Sequence, residues 1–383
     1  MRSEVIAAVK SAARSATAAA QAAGAVVVAS AAQVILLIGS LTGSAAWSVA
    51  PVPWLYEVAV PVASQSAEDR GAASSAALLE LLGRLSGLAY VPRTPEVARA
   101  LASPESYYSQ FRFAEARSGP DVPSGALDLV VQFDPQPVQE LIKRAQLPIW
   151  RSVREQVLVW VVLQEGGART LLGARPEMPL AAEVAQAMQR RARVRGLPLT
   201  LPLLDLEDQM NVSEAAVWGR LTQVLEPAAA RYGADVVVVG RAELQAQTGW
   251  VSDWVFWIDG EELTFSGEGA DLAEQAGAAV DLVATELADR RAVLGRAAGQ
   301  LLIAVSGLRS AADYGSLLRY FGGLEFIEQV DVAELMGDRL LVRLTTPASV
   351  EQLMRLFSAD GRLFEDQLAI SPISDLSLVW RVR

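Results

Sequence analysis

The sequence predicts a multidomain protein of α+β and α/β type. A small α+β domain is expected over residues 51–150, a three-layer α/β domain with a mixed sheet over 151–295, and a ferredoxin-like βαββαβ domain over 299–383. Three observations carry this. The 383 residues are 52% hydrophobic and 20% charged, a globular composition long enough for two or three cores. Strand-length apolar runs alternate with stretches of helical period bounded by capping residues. Two turn signals, Asp259-Gly260 and Met336-Gly337-Asp338, each sit between strand-like segments.

In the first block, Tyr56–Val62 alternates as a half-buried strand does. Ser66, with Asp69 three residues on, caps an Ala/Leu-rich helix running to about Leu88. Thr94-Pro95 reads as N-cap and first position of a second helix. Phe111–Glu115 and Leu127–Phe133 are strand-like around a Gly/Pro/Ser loop at 118–125, and Asp134-Pro135 opens a helix ending near Gln146.

The middle block begins with Gln156–Leu163, a continuous apolar run typical of a strand buried on both faces. A helix from Leu180 ends in the basic run 190–195 and stops at Gly196. Strand Leu199–Leu204 then leads through an acidic loop to a helix from about Ser213 to Tyr232. Asp235–Gly240 is a buried strand, Trp250–Asp259 and Glu261–Ser266 form a hairpin, and a helix from Asp271 to Arg290 follows. The third block reads strand (Leu301–Val305), helix (Ser310–Phe321), strand (Ile327–Glu334), strand (Arg339–Leu344), helix (Ser349–Phe357), strand, which is the split β-α-β order. Ser377–Val382 supplies a final edge strand.

Composition then narrows the chemistry. There is no histidine and no cysteine. That excludes an imidazole base, His-dependent triads, thiolate nucleophiles, disulfides and Cys/His zinc sites. The net charge is −11; Arg2, Lys10 and Arg14 against Glu4 give the first fifty residues +2, so the remainder carries −13. A body that acidic disfavours nucleic acid. Residues 1–23 are Ala-rich with scattered basic residues, 24–41 are apolar, and small residues follow at 42–46. This is the layout of a signal peptide cleaved after Ala46, or of a retained membrane anchor, and either places the body in the periplasm.

Three groups of residues are candidates for function. Asp205, Glu207 and Asp208 stand at a strand-to-helix junction, where α/β sheets place ligands; they suit a hard cation or acid/base work, and equally a turn and a cap. Trp250 and Trp254 share a strand face opposite Trp257, with Trp218 on the preceding helix. Exposed, the pair suits a partner or glycan; buried, it suits the core. Arg190, Arg191 and Arg193 can meet lipid headgroups or peptide carboxylates, or complement their helix dipole. No Gly-x-Gly-x-x-Gly or Walker sequence is present, and no cofactor or metal is expected.

The stretches WLYEVAVPVASQSAEDRGAA (54–73), LDLVVQFDPQPVQELIKRAQLPIW (127–150), LPLTLPLLDLEDQ (197–209), RYGADVVVVGR (231–241) and ADYGSLLRYFGGL (312–324) together resemble the proteobacterial envelope family called domain of unknown function 2066. The resemblance implies location and architecture, not an activity. The middle block is also similar in pattern to TolB amino-terminal and CsgG-like folds, and the first block to the flagellar T protein of polar motors. Such relatives are scaffolds, and fold-level likeness shifts expectation only. The resulting expectation is a non-enzymatic envelope adaptor or assembly protein with an envelope protein as partner, touching the membrane only through an uncleaved amino-terminal segment. The alternatives are a small-ligand or glycan-binding protein and a carboxylate-dependent glycan-active enzyme.

Overall fold

Three β-sheets with their helices make up the computed structural model, which describes residues 52–116, 126–294, 297–366 and 373–381 of a unit spanning Val49–Arg383. The signal-like segment 1–50 and the loop 118–125 lie outside the described residues. Among the described residues are fourteen strands and ten α-helices, a mixed α+β architecture.

The first sheet is antiparallel, ordered β1 (Glu57–Val62), β3 (Leu127–Phe133), β2 (Tyr108–Glu115). Helix α1 (Ala67–Ser86) begins where the Ser66 hydroxyl accepts from the Asp69 N–H, and ends at Gly87 in the left-handed region. Its Ala77, Leu78, Leu81, Leu82 and Leu85 share a cluster with Val58, Leu129, Val131 and Phe133. Helix α2 (Pro95–Ala102) is capped by the Thr94 hydroxyl. Helix α3 (Pro135–Arg144) follows Asp134, whose carboxylate accepts from the Ser109 hydroxyl instead of capping the helix.

The central sheet is ordered β5 (Ala168–Leu171), β4 (Val157–Glu165), β7 (Val236–Gln245), β8 (Gly249–Ile258), β9 (Glu261–Gly269), with the short β6 (Leu199–Thr200) also on β4. β4 runs parallel to β6 and β7, and the remaining pairs are antiparallel. Alternate residues of β4 enter different cores, which explains its unbroken apolar run. Val157, Val159 and Val161 meet α4 (Pro179–Arg195) and α8 (Leu272–Arg291); Leu158, Trp160 and Val162 meet α6 (Glu214–Trp218) and α7 (Thr222–Ala230). The hairpin turns at Asp259 and Gly260, both at positive φ (54° and 80°) as a two-residue turn requires.

Two expectations fail here for local reasons. The strand expected over 199–204 stops at Thr200, because Pro202 has no N–H to donate and the Leu203 N–H is taken by the Tyr232 hydroxyl at 2.9 Å. The single helix expected from Ser213 to Tyr232 is two helices, α6 and α7, since Arg220 adopts φ 54° and Pro227 lacks a donor inside α7. Ahead of them, the acidic segment forms the short helix α5 (Leu206–Asn211).

The third sheet contains β10 (Gly299–Ser306), α9 (Ala311–Gly322), β11 (Gln329–Met336), β12 (Arg339–Thr346), α10 (Val350–Asp360), β13 (Leu363–Glu365) and β14 (Leu376–Trp380). The spatial order is β11-β12-β10-β14-β13. β14 is therefore not the edge strand expected. It lies beside β10, parallel to it, and separates β10 from β13.

A strap at residues 149–155 joins these parts. Ile149 exchanges backbone hydrogen bonds with Val293 at 2.8 and 2.9 Å, and the Trp150 N–H donates to Leu85. Arg151 makes a bidentate pair with Asp360 at 2.7 and 2.8 Å, and Asp360 also accepts from the Tyr320 hydroxyl. The Ser152 N–H and hydroxyl donate to Glu325. Arg154 stacks on the Trp150 ring at 3.5 Å and donates to the Arg84 carbonyl, while Glu155 accepts from Arg291 at 2.6 Å. One apolar cluster accordingly contains Leu81, Phe133 and Ile149 together with Val293, Phe321 and Leu353.

Asp360→Asn leaves the buried Arg151 guanidinium without its counter-charge, a loss of about 3 kcal/mol for a pair this shielded. Urea unfolding should show the midpoint falling with an unchanged slope; an unaltered midpoint contradicts the role given to this pair.

Candidate functional site

The acidic residues are committed to the fold. Asp205 caps α5, its Oδ1 accepting from the Asp208 N–H at 3.1 Å. Arg231, just past α7, donates to both Asp205 oxygens at 2.9 and 2.8 Å and to Asp208 Oδ1 at 2.8 Å. The other oxygen of the buried Asp208 accepts from the Tyr232 hydroxyl at 2.5 Å and the Leu204 N–H at 2.8 Å. Glu207 is exposed, 3.8 Å from Arg231. In the expected cation loop, one guanidinium thus pairs with both Asp205 oxygens and one of Asp208. Among the described residues no group of three or more carboxylates is arranged to hold a metal. The Arg231 guanidinium holds the Asp205 carboxyl well below the usual carboxylate range. Burial, with the hydrogen bond to Asp208, pushes the Tyr232 phenol up to about 12.

The tryptophan pair belongs to the core. Trp250 and Trp254 are 6% and 1% exposed, so neither offers a docking face. Trp254 donates through Nε1 to the buried Ser252 hydroxyl at 3.0 Å, and its ring lies over Gly240, its cross-strand partner. A Cβ at Gly240 would stand 2.4 Å from that ring, which is why glycine follows the four valines.

The basic run is a staple as far as contacts reach. Arg191 pairs with Asp281 of α8 at 2.9 Å, and Arg193 pairs with Glu57 of β1 while lying 4.7 Å from the Trp54 ring centre. Arg195 is buried and donates to the Gly87 carbonyl and the Thr285 hydroxyl. Arg190 is exposed on α4. Of the expected partner-binding arginines, two are already engaged within the molecule.

A cluster that the sequence reading did not single out lies on the central sheet. Arg241 donates to Asp253 Oδ2 at 3.1 and 3.2 Å, and the Ser266 hydroxyl donates to Asp253 Oδ1, in one row across β7, β8 and β9. Trp218 stands over this row with the Arg169 and Arg241 guanidinium carbons 4.1 and 5.7 Å from its ring centre, and Arg220 follows it in the chain. The signal available beforehand was the turn Trp218-Gly219-Arg220, placed where the helix was expected to continue. A further shallow cavity of about 360 Å³ lies between β10 and the start of α10, lined by Gly299, Leu301, Ser349, Gln352 and Arg355 among others.

A family model described as Domain of unknown function (DUF8605) matches residues 50–151. That span contains the first sheet with α1 to α3 and ends on Arg151 of the strap. It is an uncharacterised family, as the resemblance implied, but it is not domain of unknown function 2066, and that part of the expectation is corrected. Among curated proteins no match is found.

Because the folded state holds the Tyr232 proton more tightly than an unfolded chain does, its contribution to stability is complete below pH 10.0 and is lost as pH rises through about 12. In a tyrosinate absorbance titration, wild type minus Tyr232→Phe should yield a transition near about 12. A difference transition at the ordinary value of 10.0 contradicts the clamp geometry.

Proposed function

We propose that this chain is a non-enzymatic adaptor or assembly protein of the cell envelope, which docks an extended segment of a protein partner on the free edge of β11. The observation carrying the proposal is the exposure of that strand. Among the described residues β11 pairs only with β12, and Val332, Leu335 and Met336 are 44%, 56% and 51% exposed. An edge with unpaired backbone donors and acceptors is a template for another strand, and apolar side chains along it add contact area. The register shift between Val332 and Glu334 bends the edge and limits how long a partner strand can follow it.

The occupant that fits is a strand of apolar and basic residues. In the fully overlapped antiparallel pairing of two copies, Asp331 would fall opposite Glu334, and like charges so placed repel. The net charge of −11 adds to the preference for a basic partner. The third sheet is read as a ferredoxin-like βαββαβ unit enlarged by β14. Export to the periplasm belongs to the same proposal and rests on the composition of residues 1–50; among the described residues no helix is long and apolar enough to cross a membrane. The rival reading as a carboxylate-dependent glycan enzyme loses its support where Asp205 and Asp208 both accept from Arg231.

A photo-crosslinking side chain at Val332, compared in cells with one at the exposed Arg190, tests the edge. The expected result is a discrete adduct with another protein from position 332 alone, abolished by Leu335→Asp with Met336→Asp. An adduct to a second copy, or equal labelling from both positions, overturns the proposal.

A further inference from the structure

On the face of the central sheet covered by α6 and α7, the cluster beneath those helices includes Trp160, Val162, Val239 and Val255. Beyond it the same face continues as the polar row Arg241, Asp253 and Ser266, in register on β7, β8 and β9. The turn between α6 and α7 overhangs this row. Gly219 closes α6, and Arg220 follows in the left-handed region at φ 54°, a conformation that an arginine adopts only against local strain.

That turn brings Arg220 beside another cation. The charged groups facing it are Arg241, Asp253 and Glu262. Asp253 is already taken by Arg241 and Ser266, and Glu262 accepts from the Trp257 indole at 3.1 Å. Among the described residues the Arg220 side chain makes no hydrogen bond and no ion pair, and its Nε is shielded from solvent without an acceptor. A half-buried guanidinium next to a like charge, on a strained backbone, is an unfavourable arrangement for the protein alone. Burial and Arg241 both act to lower its pKa, which agrees with that placement. Trp218 closes one side, and Arg169 covers its ring.

We propose that Arg220 and Arg241, with Trp218 as the flanking wall, form a binding site for an oxyanion, the carboxylate or phosphate group of an anionic ligand. The Arg220 fork, with the Arg241 Nη1 that Asp253 does not take, can meet the two acceptor oxygens of such a group, and its negative charge offsets the repulsion between the two guanidiniums. The site lies on the central sheet and not on β11, so it stands or falls independently of the edge-docking proposal.

The test is isothermal titration of the full chain with inorganic phosphate and, separately, with citrate at low ionic strength. Saturable binding of one or both is expected: phosphate alone identifies a phosphate site, citrate alone a carboxylate site, and both the shared chemistry. Arg220→Asn, which tolerates the left-handed backbone, should weaken binding by about tenfold or more, the loss expected of a charge-assisted contact. Arg220→Gly, which adopts that φ without strain, should do the same with the unfolding midpoint retained. Arg190→Ala, an exposed arginine on α4, should bind as wild type does. No saturable binding of either anion by wild type, or wild-type affinity in either Arg220 variant, overturns the proposal.

Discussion

Arg84 lies on α1 with its guanidinium out of water. It donates through Nη1 to the carbonyls of Leu55 and Glu57 at 3.0 and 2.9 Å, and through Nη2 to Glu80 at 2.6 Å. Its own carbonyl accepts from Arg154, so one residue ties the start of β1, the body of α1 and the strap ahead of β4. Desolvating a guanidinium costs several kcal/mol unless its donors are met, and a chain that buries one here is constrained around it. Gly196 shows how tightly: a Cβ there would stand 2.4 Å from Arg84 Cγ, and its φ of 70° already favours glycine. Helix α4 can therefore end against α1 only with a glycine at its terminus.

The same chemistry recurs wherever the sheets meet. Apolar packing is non-directional and would permit several ways of seating one sheet beside another. The bidentate Arg151–Asp360 pair and the Arg291 fork, which reaches Glu155 and Asp259, permit very few. Arginine provides these junctions through its planar fork, where a lysine ammonium would supply a point charge. The basic run 190–195 belongs to this set, which explains its position at the end of α4 better than a surface role does: Arg191 and Arg195 both face Asp281 of α8.

What could be read from the sequence was what is decided locally. Ser66, Thr94, Asp271, Ser310 and Ser349 cap the helices assigned to them, because a hydroxyl or carboxylate beside a free N–H acts within four residues. Asp259-Gly260 turns its hairpin because both residues tolerate the positive φ that a two-residue turn requires, which is again a local matter. The places that misled are decided at a distance. Whether Trp254 is a docking group or a core group depends on Gly240 across the sheet, and whether Asp205 binds a cation depends on Arg231, 26 residues on. Nothing near Ser377 indicates that β14 pairs with β10 instead of closing the sheet, since parallel pairing is a long-range choice. Arg220 was invisible for a related reason: a helix was expected to run through it, and only its backbone conformation reveals the break.

The absence of histidine and cysteine then bears on how such a molecule behaves. No side chain with an ordinary pKa near neutrality is present to change charge there, so the arginine–carboxylate junctions hold their ionisation across that range. Two carboxyls, Glu80 and Asp281, are pushed upward by burial, and each faces an arginine that draws it back. Others are held low: the hydrogen bond from Arg291 depresses Asp259, so its contribution is present above the unfolded pKa and is lost only as pH falls through the folded one. Glu80 meets acid from the other side. Its raised pKa means that the folded state holds the Glu80 proton more tightly than the unfolded chain does, so its contribution is present at low pH and is lost as pH rises through the folded value. Protonation of Glu80 is thus favoured by the fold that buries it, so as pH falls acid should release the Asp259 hairpin before the junction of α1 with the strap.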